Sequence, residues 1–274
     1  MDFKNKTVFI TGASRGIGLA IAKKLASEGA NVVIAAKTAE PHPKLQGTIF
    51  SAAAEIEALG GRVLPCVVDI RDENQVLEAV NKAVETFGGI DVLINNASAI
   101  QLTGTLETEM KRFDLMHGVN ARGTYLVSRA CLPHLLKSEN PHVLTLSPPL
   151  NFEARWFKHH VAYSMAKFGM SLVTLGMSAE FVGKVAFNSL WPRTIIATAA
   201  IEFAVGSAEM LKLARKPDIM ADACFEILKR DAKDCTGNYF IDDAVLAEAG
   251  MSDFAQYQVD ASVDPKSLIP DFFI

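Results

Sequence analysis

Tyr163 and Lys167 stand four residues apart in the run Tyr163-Ser164-Met165-Ala166-Lys167. On a helix that spacing puts a phenol and an ammonium on one face. A phenol by itself ionises at a pKa of about 10. A neighbouring ammonium favours the phenolate and lowers that value. Such a phenol can give or take a proton near neutral pH. A Tyr and a Lys at this spacing are common, so the chemistry depends on what else converges on them. A second run, Thr11-Gly12-Ala13-Ser14-Arg15-Gly16-Ile17-Gly18, has the glycines for a tight turn that lets phosphate approach the backbone. Together the two runs suggest proton transfer beside a hydride carried by a dinucleotide.

Elements must deliver these groups to one place. Continuously apolar strands are expected over 7–11, 31–36, 62–69, 91–95, 142–147 and 185–191, with a possible seventh over 238–241. Helices are expected over 17–27, 50–59, 73–87, 162–181 and from 111 to beyond Asn120. Val32-Val33-Ile34-Ala35-Ala36 shows no alternation, as in strands buried on both faces of a parallel sheet. The alternation of strand and helix predicts an α/β fold, a doubly wound Rossmann-type sheet of about seven strands with helices on both faces. The Gly turn then lies between the first strand and first helix, the context a dinucleotide site requires. No linker or repeat divides the chain, so residues 1–274 read as one domain. Two segments look irregular: 37–48, with Pro41 and Pro43, and 250–274, with an apolar end expected to dock on this chain or on a partner.

The second strand ends Ala35-Ala36-Lys37, with no acid to bond a ribose 2′-hydroxyl. Lys37 and Arg15 are instead suited to a 2′-phosphate. NADP(H) is therefore expected over NAD(H).

The 274 residues carry a net charge of −4, which argues against a nucleic-acid partner. Cys66, Cys131, Cys224 and Cys235 form no CxxC pair and read as reduced packing thiols. His159 and His160 lack nearby acidic or Cys partners, and no metal site is expected. No apolar run is long enough to cross a bilayer, and the first residues lack a signal-peptide pattern. A cytoplasmic protein is expected, or one in an organelle reached by a signal these residues do not reveal.

The order of these motifs resembles the short-chain dehydrogenase/reductase family over nearly the whole chain. The resemblance rests on Thr11–Gly18, Asp69, Asn95-Asn96-Ala97, Asn120, Tyr163 with Lys167, and Asn188 to Pro192. It implies that Tyr163 is the general acid/base. Lys167 would bind the nicotinamide ribose and lower the Tyr163 pKa, and Asn120 would anchor a water in the proton relay. Asp69 would contact adenine. Asn96 and Ala97 would support the cofactor, and Pro192 and Ile195 would contact it after strand six. Members are commonly dimers or tetramers built on the long helices after strands four and five, so a homo-oligomer is expected. The stretches Ala36–Ala39, Pro41–Lys44, Ser147–Asn151 and Pro270–Phe273 look like a subgroup whose animal members continue into a sterol-carrier domain.

Three departures from the family pattern matter. Ser98 replaces a glycine after Asn95-Asn96-Ala97, and Arg193 replaces one after Pro192. The catalytic serine is often the second of two, and here the pair is Ser147-Pro148. Strand alternation would turn Ser147 away from the substrate. The prolines could also twist it inward, so Ser147 stays a catalytic candidate.

Residues 193–217 are expected to cover the substrate. Their apolar side chains Ile195, Ile196, Ala199, Ala200, Ile201, Phe203, Ala204, Val205 and Met210 suit a hydrophobic carbonyl or alcohol, or simply a helix packed on the sheet. Trp156 and Phe157 are candidates for the opening. The alternative function is a dinucleotide-binding sensor or scaffold with little catalysis. An enoyl reductase is disfavoured by the Tyr–Lys spacing.

Overall fold

The computed structural model describes residues 2–41, 47–199, 201 and 208–274. Seven parallel strands form one sheet: β1 (Thr7–Thr11), β2 (Asn31–Ala36), β3 (Arg62–Val67), β4 (Val92–Asn95), β5 (His142–Thr145), β6 (Ala186–Trp191) and β7 (Tyr239–Ile241). Their order is β3-β2-β1-β4-β5-β6-β7. The chain direction across the sheet reverses between β1 and β4, and a crevice opens there at the carboxyl ends of the strands.

The sheet is covered on both sides because its strands are apolar on both faces. One layer packs α1 (Gly16–Ser27), α2 (Ile49–Ala58), α7 (Asp218–Leu228) and α8 (Asp242–Glu248) against Val8, Ile10, Val32 and Ile34. The other packs α3 (Glu73–Phe87), α5 (Thr124–Leu135) and the end of α6 (Val161–Glu180) against Phe9, Val33, Leu93 and Phe187. Val8 and Phe9 are adjacent residues on opposite faces, as strand geometry demands. A third apolar cluster, with Met116, Tyr163, Trp191 and Phe273, sits at the crevice end.

α4 (Met110–His117) continues into α5 through a π-helical stretch, Gly118–Gly123. Widened turns of this kind are frequent at functional sites. Pro133 lies inside α5. The expected strands over 62–69 and 142–147 end two residues early. Asp69 leaves the sheet to bond Arg71, and the Ser147 amide turns back to the Thr145 carbonyl at 2.9 Å. Of the loop expected over 37–48, residues 42–46 lie outside the described residues.

Candidate active site

Thr11 ends β1 with its hydroxyl oxygen accepting from the Asn96 and Ala97 amides, each at 3.0 Å. Asn96 answers with its own amide, which donates to the Thr11 and Gly12 carbonyls at 2.9 and 3.1 Å. The Gly turn is therefore braced against the loop after β4. This bracing leaves no room for side chains. A Cβ on Gly12, whose φ is +70°, would lie 2.8 Å from Ala97 Cα. One on Gly18 would lie 2.4 Å from Asn96 Nδ2. α1 starts at Gly16 with no side chain capping its first turn, so its amides are available to an anion.

These groups line a cleft of about 1440 Å³ that runs along the carboxyl ends of the strands. Gly12, Ser14, Arg15, Gly16, Ile17 and Lys37 line one part, with Asp69 beside them. Gly18 stands behind the turn, against Asn96. The Arg15 guanidinium donates to the Gly47 carbonyl. Asp69 is gripped by Arg71, whose Nε donates to Oδ1 at 2.9 Å and whose NH2 donates to Oδ2 at 2.5 Å. That bond holds the Asp69 carboxyl below its ordinary range, against the opposing effect of burial, and Lys37 adds a smaller pull the same way.

Asn96, Ala97, Tyr163, Lys167, Trp191 and Pro192 line the rest of the cleft, with Ile100, Leu115, Ile196 and Ile201. Tyr163 and Lys167 are buried on one face of α6. Lys167 Nζ donates to the Leu146 carbonyl at 2.8 Å and lies 4.9 Å from the centre of the Trp191 ring. Burial pushes its pKa down to about 7, and the Asp271 carboxylate opposes that shift. The expected lowering of the Tyr163 pKa by Lys167 is not what this environment produces. Burial and then the Asp271 charge push the phenol above its ordinary value. Desolvation sets the direction because the phenol is out of water, and the charge that acts on it is that of Asp271.

Several candidates are placed differently from expectation. Asn120 is buried in the π-helical stretch, where both ends of its side-chain amide engage Ala99: Oδ1 accepts from the amide at 2.7 Å and Nδ2 donates to the carbonyl at 3.0 Å. It clamps the loop after β4 rather than reaching into the cleft. Ser147 is fully buried, with its hydroxyl 2.8 Å from that of Ser189, which in turn donates to Thr174 at 3.3 Å. The prolines do not swing it inward, and alternation along the strand prevails. The Ile195 side chain is buried away from the cleft. Its backbone is tied to Ile269 and Arg215, and Ile196 lines the cleft in its place. Trp156 and Phe157 pack on Phe273 and Phe168 instead of the opening. The lid candidates Ala200, Phe203, Ala204 and Val205 lie outside the described residues.

Sequence reasoning missed the contribution of the C-terminal segment. Asp271 and Phe272 line the same cleft as Tyr163 and Lys167. Asp271 is pushed up to about 7 by burial, with Lys167 pulling the other way. The apolar ending hinted at docking, but nothing in it pointed to the Tyr–Lys pair. Thr198 was also passed over, although its Cγ2 would lie 3.3 Å from a Cβ on Gly16.

Comparison with known proteins agrees with this architecture. Residues 6–204 match the short chain dehydrogenase family. The chain is 60% identical over 268 residues to hydroxysteroid dehydrogenase-like protein 2 of Danio rerio, covering 98% of this chain and 63% of that protein. The human protein of that name is 56% identical over the same share. The chain thus spans less than two thirds of the curated relatives' length. A putative dehydrogenase from Xanthomonas campestris is 55% identical, with a TM-score of 0.95 over 100% of this chain and 99% of that one. A short chain dehydrogenase from Mycobacterium thermoresistibile is 49% identical, with a TM-score of 0.93 over 99% and 96% of the two chains. Sheet order, glycine turn and matched sequence together make this chain a member of the short-chain dehydrogenase/reductase family.

Proposed function

We propose that this chain is an NADP(H)-dependent oxidoreductase acting on a hydrophobic carbonyl or alcohol, with Tyr163 as the general acid/base. One observation carries the reading: Tyr163 and Lys167 face the same cleft as the glycine turn. The residues fit a dinucleotide, because a Cβ at Gly12 or Gly18 would fill the cradle and the first turn of α1 has no side-chain cap. Gly12 to Ile17 would hold the pyrophosphate, Asp69 the adenine end, and Asn96, Ala97, Lys167 and Pro192 the nicotinamide end. The bound nicotinamide would supply hydride chemistry. Arg15 and Lys37, with no acid at the end of β2, support a 2′-phosphate and hence NADP(H) over NAD(H).

Tyr163 donates a proton to the substrate oxygen as a carbonyl becomes an alcohol, or accepts it in the reverse direction. Burial and Asp271 favour its protonated form, the form that carbonyl reduction consumes. Ile100, Leu115, Trp191, Ile201 and Phe272 give the substrate side an apolar wall. The chain works as one domain, with Ile196, Thr198 and Ile201 from one segment and Asp271 and Phe272 from the other lining the cleft.

The test is NADPH oxidation, with NADH in parallel, over a panel of hydrophobic aldehydes, ketones and acyl carbonyls. Turnover should favour NADPH. Tyr163→Phe should reduce it by at least about a hundredfold while dinucleotide affinity is retained. A second reading, a dinucleotide-binding sensor with little catalysis, is favoured by Ser147 being turned away and Pro148 lacking a hydroxyl. Tight NADPH binding without turnover across the panel would support it.

A homo-oligomer is part of the proposal. α6 exposes Val161, Met165, Leu172 and Leu175, and α5 exposes Tyr125. An apolar stripe along a helix suits packing against a second copy. Light scattering at micromolar concentration should give at least a dimer, and a monomer would refute it.

A further inference from the structure

Asp271 is the acidic neighbour of the Tyr163–Lys167 pair, and it is held with care. The Asp271 amide donates to the Arg193 carbonyl at 3.0 Å. The Trp191 indole donates to the Phe272 carbonyl at 2.8 Å. Upstream, the Ile195 amide donates to the Ile269 carbonyl at 3.0 Å, and the Ile269 amide donates to Leu213 at 3.1 Å. Downstream, Phe273 is 1% exposed and packs its ring on Trp191, Phe168 and Trp156. Anchors on both sides thus fix one carboxyl in the cleft wall. Its Oδ1 accepts from the Phe272 amide at 2.6 Å, but burying a carboxylate on one neutral hydrogen bond is costly without a countercharge.

The surrounding charges supply one. Arg193 and Arg215 both pair with Asp243, at 2.7 and 3.2 Å. Asp242, at the start of α8, takes the Arg193 and Asp243 amides on Oδ1. Lys167 Nζ makes its hydrogen bonds to a carbonyl and to Met170 Sδ, neither of them charged. Trp191 joins the two groups in the cleft wall: its ring centre lies 4.9 Å from Lys167 Nζ, and its indole holds the carbonyl of Phe272, the residue next to Asp271. Asp271 and Lys167 form no direct ion pair, and each charge acts on the other through space.

We propose that Asp271 is a positioning residue of the catalytic group, supplying the countercharge to the buried Lys167 ammonium beside Tyr163, so that the docked C-terminal segment is part of the site. The proposal rests on the reading of Tyr163 and Lys167 given above. Burial drives Lys167 toward the neutral amine and the Asp271 carboxylate opposes it. Removing the charge lets burial win, and the lysine stays neutral near pH 7. It then no longer offers a positive charge to Tyr163 or to a ribose. Tyr163 and Lys167 from α6 share the cleft with Asp271, and its charge is coupled to those two groups and to Asp242 from α8.

The experiment follows the Lys167 protonation midpoint by NMR of the full chain labelled in lysine, with Lys167→Met assigning the signal. Asp271→Asn keeps an oxygen for the Phe272 amide, and Trp191 fluorescence reports whether the segment stays docked. The midpoint should fall by about one unit or more, a tenfold change in the charged fraction. Asp271→Glu should restore it in part. Reciprocally, Lys167→Met should raise the Asp271 midpoint, read from labelled aspartate. On any carbonyl the wild type reduces, Asp271→Asn should lower kcat about tenfold near neutral pH and recover toward acid, where the lysine recharges. Unmoved Lys167 and Asp271 midpoints would overturn the proposal. The titrations need no substrate, so a shifted midpoint in a protein without turnover keeps the pairing and discards the oxidoreductase reading. Turnover with unmoved midpoints does the reverse.

Discussion

At the scale of the residue, the cofactor end depends on glycines for contact rather than for flexibility alone. Gly18 has no left-handed backbone, yet an added Cβ would fall within 2.4 Å of Asn96 Nδ2 and 2.9 Å of Ala13 Cα. The Asn96 amide could yield only by releasing Thr11 and Gly12, which it holds. Gly18→Ala should therefore weaken nicotinamide dinucleotide binding by at least about tenfold, a loss of about 1.4 kcal/mol. Isothermal titration checks it, and unchanged affinity would refute the bracing argument. The individual site residues were legible in proportion to their sequence proximity. Tyr163 with Lys167 and Gly12 to Gly18 are local patterns, and local geometry brings them into the cleft. Ser147 could be placed only once its neighbours were known, because Ser189 and Thr174 decide where its hydroxyl points. Asp271 was invisible as a site residue because Tyr163 and Lys167, with which it shares the cleft, lie on α6, far back along the chain.

At the scale of the element, β1, β2 and α3 match their expected limits, because apolar runs bounded by turns leave little freedom. α7 and α8 were not anticipated. α7 buries Ile219, Met220, Ala223, Cys224 and Ile227 between α1 and α8, so its apolar face is too broad to show a clear period. The C-terminal segment has no regular structure apart from short 3₁₀ turns, and its order comes from side chains and borrowed backbone bonds. Phe273 is its anchor, with a φ of +73° that the surrounding rings must over-determine. Truncating a buried phenylalanine costs about 3–5 kcal/mol. For Phe273→Ala that loss should appear as undocking rather than global unfolding. Limited proteolysis should clip the C-terminal segment while far-UV circular dichroism stays unchanged. Resistance equal to wild type would show that the backbone bonds alone suffice.

At the scale of the whole molecule, the doubly wound sheet was readable from alternation alone, whereas the crevice where its strand order reverses became visible only with the pairing of β1 and β4. Its response to acid was not, because that depends on which titratable groups end up buried. His142 begins β5 and is 1% exposed, with Nε2 beside the Arg230 carbonyl at 3.1 Å. Burial pushes its pKa down to about 4 from 6.5. The unfolded chain therefore takes up a proton that the folded chain refuses. His142 contributes nothing unfavourable above about pH 6.5, and stability is lost as pH falls from there toward 4. The loss from this group amounts to about 3 kcal/mol. Measured against His142→Asn, the wild-type thermal unfolding midpoint should therefore drop as pH falls through that window, because the difference between the two cancels every other buried group. A difference between the two proteins that does not change with pH would refute it. Asp242 and Asp271, both raised by burial, act in the opposite sense between their ordinary range and about 6 and 7.

The way residues 269–273 are fastened also sets a clock on the site. None of their bonds belongs to the sheet, so the segment can lift away while all seven strands remain paired. Lifting removes Asp271 and Phe272 from the cleft together and exposes Lys167 and Tyr163 to water. Such an open form, folded elsewhere, would be governed by a local free energy smaller than that of global unfolding. The amides of Ile269 and Asp271 are its natural reporters, since each is held by a single carbonyl across the gap. Their hydrogen-exchange rates measure how often the site is dismantled. Any ligand that prefers the closed form must slow that exchange by the factor with which it prefers it.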